Sequence, residues 1–315
     1  MADKKIIAVL GATGSQGGGL VRAILNDPNG GFAARALTRD VHSDKAKELA
    51  KLGAEVVAAD VDDVESLKKA FHGAYGAYCV TFFWNHFSPE KEIANATNMA
   101  EAAKSAGVKH VIWSTLEDTR KHVPLSDNRM PTLQGKYKVP HFDAKGEGDE
   151  AFTKLGLPVT FLLTTFYWDN AIYFGMGPKK GADGKYAITF PLGSKKMAGI
   201  AAGDIGKCAY GIFKDSKWIG KTVGIAGEQL TGAEMASKYS KALGIDVHYN
   251  AVTPEAYRGF GFPGAEDLGN MFQFYADFED YFGKSRSLET SRALNPAQQT
   301  FDAWLAANKS RIPLD

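Results

Sequence analysis

The sequence predicts an α/β fold with a doubly wound parallel sheet, because short apolar strand patterns alternate with helical patterns through its first half. The strand candidates are almost continuously apolar, as expected for strands that helices cover on both faces. The helix candidate at Pro89 has Ser88 as its N-cap and a proline in its first turn. The predicted strands are Ile6–Leu10, Ala34–Thr38, Glu55–Ala59, Ala77–Phe82, Val108–Ser114 and Val159–Leu163, and the helices are Gly17–Asn26, Asp44–Leu52, Val64–Phe71, Pro89–Ala106 and Phe142–Leu155.

The pattern loosens after Leu163, which predicts a smaller C-terminal α+β region for a substrate or an interaction. We place residues 1–163 in the parallel-sheet domain and residues 164–315 in a region packed on it. We do not expect this second region to be an independent domain, and some of its elements are free to return to the first. Its predicted strands are Tyr186–Pro191 and Val223–Ala226, and its helices are Ala233–Leu243, Ala265–Phe278 and Pro296–Asn308.

Two segments have more than one interpretation. Glu117–Lys138 is polar, contains two prolines and has no regular period, so we predict a long mobile loop, either a lid or an excursion. Apolar residues of the helix Ala265–Phe278 recur at helical spacing, which favours a core face over a cofactor or partner groove. A substrate pocket or a dimer face remains open for the aromatic residues nearby. The residues at helical spacing are Leu268, Met271, Phe272, Tyr275 and Phe278.

Composition excludes several classes of function. The 315 residues include 37 basic and 36 acidic side chains, and this balance argues against direct nucleic-acid binding or a charge-driven membrane contact. No apolar run approaches the roughly 20 residues that span a bilayer. Cys79 and Cys208 form no CxxC pair, and the histidines lie in no ligand-spaced cluster, so we expect no metal site. These features favour the cytoplasm and leave entry into the nucleus open.

A glycine-rich loop joins the first predicted strand to the first helix. Gly11, Gly14 and Gly17 follow a GxxGxxG spacing. Glycine lets the backbone turn tightly and approach a ligand closely, and the helix N-terminus offers free N–H groups to phosphate. An ordinary glycine-rich turn is the alternative, but the position between strand and helix favours a Rossmann-type dinucleotide site.

The end of the second strand bears on the choice of cofactor. Arg39 suits the 2′-phosphate of NADP, whereas an acidic residue there would suit the ribose of NAD. Asp40 is either such an acid or a solvated loop charge, and we favour NADP(H). Asp60, which closes the third strand, either meets the adenine edge or caps the next helix.

The carboxyl ends of the strands are where this architecture carries chemistry. Short-chain dehydrogenases place a serine after the fifth strand and a Tyr-x-x-x-Lys pair on the next helix. Here Ser114 holds the serine position, and His141 stands four residues before Lys145 in place of the tyrosine. Lys145 is predicted to bind the nicotinamide ribose in preference to being a plain surface lysine. His141 is either a proton donor or the partner in a structural hydrogen bond, and the role of Ser114 is open.

Together these motifs resemble the NmrA-like family of atypical short-chain dehydrogenases/reductases. The resemblance rests on the loop Gly11–Gly17, the Thr38-Arg39 pair, the helix start His141–Glu147 and the segment Gly261–Leu268. It implies an NADP preference, a missing catalytic tyrosine and, in one branch, a sensor of the NADPH/NADP balance. By position, it implies that the phosphates meet Gly11, Thr13, Gly14, Ser15, Gln16 and Gly17, the 2′-phosphate meets Arg39, and the nicotinamide ribose meets Thr81 and Lys145.

Two functions remain after this comparison. A redox sensor that changes partners with cofactor state is favoured slightly, because the tyrosine is missing. The alternative is an NADPH-dependent reductase of a carbonyl, imine, quinone or conjugated alkene that uses Lys145 and His141. A transcriptional co-regulator is a third and weaker reading. The partner is accordingly either a small-molecule substrate or a regulatory protein, and a homodimer is open.

Overall fold

The computed structural model describes residues 4–314. The strands, in chain order, are β1 (Lys5–Val9), β2 (Phe32–Thr38), β3 (Glu55–Ala58), β4 (Gly76–Cys79), β5 (His110–Thr115), β6 (Val159–Leu163), β7 (Phe166–Tyr167), β8 (Lys179–Lys180), β9 (Tyr186–Phe190), β10 (Lys196–Ile200), β11 (Thr222–Gly224), β12 (Glu228–Thr231) and β13 (Val247–Ala251). The helices are α1 (Ser15–Leu25), α2 (Asp44–Lys51), α3 (Val64–Phe71), α4 (Pro89–Ser105), α5 (Pro140–Lys154), α6 (Asn170–Tyr173), α7 (Ala202–Phe213), α8 (Gly232–Leu243), α9 (Pro254–Arg258), α10 (Ala265–Asp277), α11 (Glu279–Ser285), α12 (Leu288–Leu294) and α13 (Phe301–Asn308).

The largest sheet has seven strands in the order β11-β6-β5-β4-β1-β2-β3, and every neighbouring pair is parallel. The strand order reverses between β1 and β4, since β1 continues to β2 on one side and pairs with β4 on the other. The carboxyl ends of strands at such a reversal form the crevice in which doubly wound sheets bind ligands. The predicted Rossmann-type sheet is therefore confirmed.

Helices cover this sheet because their apolar residues recur at helical spacing. On α4 the buried stripe includes Ala96, Met99, Ala100 and Ala103. The helix begins as its sequence predicts, since the Ser88 hydroxyl accepts a hydrogen bond from the Lys91 N–H at 3.2 Å. Burial of this face, and not helix propensity, supplies most of the stability of such a helix.

Two smaller three-stranded sheets, β12-β10-β7 and β13-β9-β8, build the C-terminal region with α8 to α13. The apolar residues of α10 lie in its core: Leu268, Met271, Phe272 and Tyr275 are buried and Phe278 packs against them. The core interpretation of that helix is thus confirmed. We retain the division after residue 163 as a proposal, with β11 joining the large sheet as an edge strand.

Helix α7 was not predicted from the sequence, and its glycines explain why. Gly203, Gly206 and Gly211 lower helix propensity, which hides the helical period. In the fold, a Cβ at Gly206 would collide with the backbone of α1, as would one at Gly19 with α7. Gly19 and Gly206 therefore permit close packing of the two helices, and this tertiary contact outweighs the propensity.

The segment Glu117–Lys138 has little regular structure, as predicted, but the expectation that it is mobile does not fit its contacts. Lys138 is buried and its Nζ donates to two carbonyl groups of the same segment, each at 2.7 Å. Asn270 of α10 donates to the Lys138 carbonyl at 2.5 Å, and Glu117 forms a buried ion pair with Arg286. A segment with so many buried hydrogen bonds opens rarely, which argues against a lid.

Candidate functional site

The glycine loop between β1 and α1 is shaped to approach a ligand with its backbone. Gly11 has a φ of +62°, which an L side chain rarely adopts. A Cβ at Gly17 would lie 2.5 Å from the Gly11 carbonyl oxygen, so only glycine fits there. The first helical hydrogen bond of α1 runs from the Gly18 N–H to the Gly14 carbonyl at 2.9 Å. The N–H groups before it are thus available to an anion.

Arg39 is the residue predicted to meet a 2′-phosphate, and its side chain is exposed to solvent. It follows the last residue of β2 and has no side-chain hydrogen bond or ion pair within residues 4–314. Asp40 instead accepts from the His42 N–H at 2.8 Å, which is the local turn role that the sequence left open. Asp60 accepts from the Asp62 N–H at 3.0 Å in the turn before α3. The N-cap of that helix is Asp63, so the prediction that Asp60 caps it is wrong.

Gln16 joins three side chains beneath the glycine loop. Its Nε2 donates to the Tyr167 hydroxyl at 2.6 Å, while its Oε1 accepts from Tyr78 at 2.5 Å and from Ser114 at 2.9 Å. Burial raises the pKa of Tyr167 to about 12, which keeps its hydroxyl protonated. The Oε1 of Gln16 is therefore fully used within the protein, while one of the two N–H donors of Nε2 has no partner within residues 4–314. Ser114 is buried, with its hydroxyl engaged by Gln16.

Lys145 and Thr81, which were predicted to share the ribose site, are in contact. The Lys145 Nζ donates to the Thr81 hydroxyl at 2.5 Å and lies 2.9 Å from Oε1 of Glu92. Thr81 also donates to Glu92, whose side chain is fully buried. An ammonium group has three N–H donors, so one remains for a further acceptor.

Glu92 is charged in spite of its burial. Desolvation alone would raise the pKa of this carboxyl, but the charge of Lys145 and hydrogen bonds from His86 and Thr81 outweigh it. The result is a pKa of about 2. The Nε2 of His86 lies 3.4 Å from Oε2 of Glu92. The cleft thus holds a buried ion pair next to the carboxyl end of β4.

His141 lies one turn before Lys145 on α5 and has a different partner. Its Nδ1–H donates to Oδ1 of Asp267 at 2.6 Å, and its backbone N–H donates to Oδ2 of the same carboxylate at 3.1 Å. Within residues 4–314, the Nε2 atom of His141 has no hydrogen-bond partner. This atom is not fully buried, so a ligand can reach it. Phe83 and Trp84, which follow β4, pack their rings against the imidazole at 5.9 and 4.8 Å. Asp267 fixes the ring while one nitrogen stays available.

Residues 4–314 contain no group of three or more His, Cys, Asp or Glu side chains that could hold a metal ion. Within the same range, no helix is both long enough and apolar enough to cross a membrane.

The family follows from comparison with known proteins. Residues 3–305 match the model of the NmrA-like family. The chain belongs to this family. It is 31% identical over 288 residues to the NmrA-like family domain-containing oxidoreductase FrzB of Cladobotryum sp, a match that covers 85% of this chain and 83% of the relative. An NmrA-like family domain-containing protein of Dictyostelium discoideum is 30% identical over 299 residues, covering 91% of this chain and 92% of the relative.

Solved structures of similar fold include regulators and reductases. The negative transcriptional regulator NmrA in complex with NADP has 24% identity and a TM-score of 0.76, and the match covers 96% of this chain and 95% of that one. The Citrobacter sp. triphenylmethane reductase complexed with NADP(H) has 21% identity and a TM-score of 0.73, with coverage of 97% and 99%. At these identities the likeness supports the fold alone.

Sequence reasoning missed two residues of this NmrA-like cleft, Glu92 and Asp267. A signal existed for Glu92, because it lies one turn before Asn95 and Ala96 on the buried stripe of α4, where a carboxylate requires a partner. Asp267 gave a weaker signal. It lies in the first turn of α10, where acidic residues are common for the helix dipole alone.

Proposed function

We propose that this NmrA-like protein binds NADP(H) in the crevice at the carboxyl ends of β1 and β4 and reduces a small acceptor there. The residues present fit the cofactor. A Cβ at Gly17 would fill the space in which the loop backbone approaches a ligand. The first N–H groups of α1 are free to bind an anion, and Arg39 has no partner within residues 4–314. NADPH, when bound, supplies a hydride from its nicotinamide ring.

The observation that favours a reductase over a redox sensor is the hydrogen bond between His141 and Asp267. The Asp267 carboxylate holds the imidazole in one orientation through Nδ1–H and leaves Nε2 without a partner within residues 4–314. We therefore assign to His141 the transfer of a proton from Nε2 to the acceptor, a role worth roughly 10²–10⁴ in rate.

The other residues bind and orient. N–H groups of the loop would hold the pyrophosphate, and Arg39 would pair with the 2′-phosphate. The third N–H of Lys145 would donate to a ribose hydroxyl, with Thr81 and Glu92 holding the ammonium group in place. Ser114 keeps a supporting role through Gln16. The acceptor class we propose is a carbonyl, imine, quinone or conjugated alkene, each of which takes up a hydride and a proton.

A redox sensor is the second candidate, and the missing tyrosine favours it. Among similar proteins, FrzB is described as an oxidoreductase and the structural neighbour NmrA as a negative transcriptional regulator, so non-enzymatic roles occur on this fold. A sensor would bind both cofactor forms without turnover, and its conformational equilibrium would respond differently to each.

The test is consumption of NADPH, followed at the nicotinamide absorbance band, with a panel of aldehydes, quinones, imines and enones. Parent protein, Lys145→Ala and His141→Gln are run together. Turnover in the parent that both changes reduce by about 10²-fold or more supports the reductase. Measured NADPH binding with no turnover of any acceptor would instead support the sensor.

A further inference from the structure

The ion pair between Glu92 and Lys145 has a consequence for the charge state of a bound cofactor. Glu92 is fully buried, the Lys145 side chain is 12% exposed, and Lys145 has no other ion pair within residues 4–314. The two charges cancel locally. His86, which also contacts Glu92, is the remaining titratable neighbour of this carboxylate.

The two forms of the nicotinamide ring differ in charge, since the oxidised ring is cationic and the reduced ring is neutral. A cationic ring beside an uncompensated ammonium group would be disfavoured, while a neutral ring would be affected little. A buried carboxylate that neutralises the ammonium group removes this penalty. The strength of such an effect is greatest where water is excluded, as around Glu92.

We propose that Glu92 sets the relative affinity of the cleft for NADP⁺ and NADPH by neutralising Lys145. The proposal rests on the proposed function insofar as the nicotinamide lies near Lys145. Glu92 is then a positioning residue that acts through Lys145, and it lets the protein retain the oxidised cofactor. In a reductase, Glu92 would then affect the rate at which NADP⁺ is released. In a sensor, it would affect the NADPH/NADP⁺ ratio at which the protein changes state.

Opposite substitutions test this. Dissociation constants for NADPH and NADP⁺ are measured by calorimetry for the parent, Glu92→Gln and Lys145→Gln. Glu92→Gln leaves an uncompensated cation and should shift the affinity ratio toward NADPH by about tenfold. Lys145→Gln leaves an uncompensated anion and should shift it toward NADP⁺ by a similar factor.

Glu90→Gln is the matched control, because Glu90 lies on the same turn of α4 but is exposed and pairs with Lys136 at the surface. It should leave the ratio unchanged. Equal effects of Glu92→Gln on both cofactor forms, or no shift in either variant, would overturn the proposal. If Glu92→Gln does not fold, the direction of the Lys145→Gln shift decides alone. Failure of the parent to bind either form would instead contradict the proposed function.

Discussion

The carboxylate of Asp267 accepts a hydrogen bond from Nδ1 of His141 at 2.6 Å, although 126 positions separate the two residues in the chain. The contact joins the first turn of α10 to the first turn of α5. It brings the C-terminal region to the crevice of the parallel sheet. The second region thus contributes directly to the candidate site, in addition to covering it.

The first prediction concerns this pair. Asp267→Asn keeps an acceptor for the His141 backbone N–H but removes the negative charge beside Nδ1 of the proposed proton donor. We expect turnover with NADPH to fall by about 10- to 100-fold. NADPH affinity should change less than twofold. A fall in cofactor affinity with unchanged turnover would show that Asp267 serves binding and not proton transfer.

The second prediction concerns the glycine loop. In Gly17→Ala the new methyl group meets the Gly11 carbonyl oxygen at 2.5 Å, so the loop must shift. We expect NADPH affinity to fall by about tenfold or more, measured by calorimetry. Gly203→Ala is the control, because a Cβ there has no atom within 4 Å and α7 tolerates alanine. Equal binding by the two variants would place the pyrophosphate elsewhere.

Arg39 provides the third prediction, on cofactor choice. Arg39→Gln removes a cation that has no partner within residues 4–314, so folding should be unaffected. NADPH affinity should fall by about 10- to 100-fold, because charge-assisted hydrogen bonds contribute roughly 1.5–3 kcal/mol. NADH serves as the internal control and should bind parent and variant alike. A parallel loss for both cofactors would assign Arg39 to the adenine or the pyrophosphate.

The fourth prediction is a pH dependence of stability from Asp149. Burial raises the pKa of this carboxyl to about 7, although hydrogen bonds from Thr115 and Trp113 oppose the rise. Because the pKa is higher in the folded state than in the unfolded state, the protonated form of Asp149 contributes to stability. This contribution is complete below about pH 4 and is lost as the pH rises through about 7. Burial raises the pKa of Asp143 to about 6, which adds to the same window.

Urea unfolding at pH 5 and pH 8 measures the effect. The parent should lose on the order of 3 kcal/mol of unfolding free energy between the two pH values through Asp149. Asp149→Asn should remove most of that loss, while Glu150→Gln, at the exposed neighbouring position, should not change it. An unchanged pH dependence in Asp149→Asn would mean that burial does not raise the pKa of Asp149 in the folded protein.

Local patterns predicted the sheet and the loop well. β6 has the predicted bounds, and Ser88 caps α4 as predicted. These features depend on residues close in sequence, so periodicity and capping chemistry identify them. The glycine spacing likewise needs only its own strand and helix as context.

Contacts between residues far apart in the sequence could not be predicted from local patterns. Nothing near Gln16 indicates that its amide meets Tyr78, Ser114 and Tyr167, residues 62, 98 and 151 positions away. Glu92 as a partner of Lys145 and Asp267 as the partner of His141 were missed for the same reason. Each depends on how strands and helices come together, which sequence spacing does not encode.

Transfer of labelled hydride tests the central claim most directly. NADPH that carries deuterium at one of the two C4 positions of the nicotinamide is supplied with an aldehyde, imine or enone that the parent reduces. These acceptors keep the transferred hydride in a C–H bond that does not exchange with water, and the product is analysed by mass spectrometry. We expect a product one mass unit heavier from one labelled position and an unlabelled product from the other, because a cofactor held by the loop, Arg39 and Lys145 presents one face. Product that lacks deuterium with both labelled positions, or no product from any acceptor of the panel, would contradict a reductase.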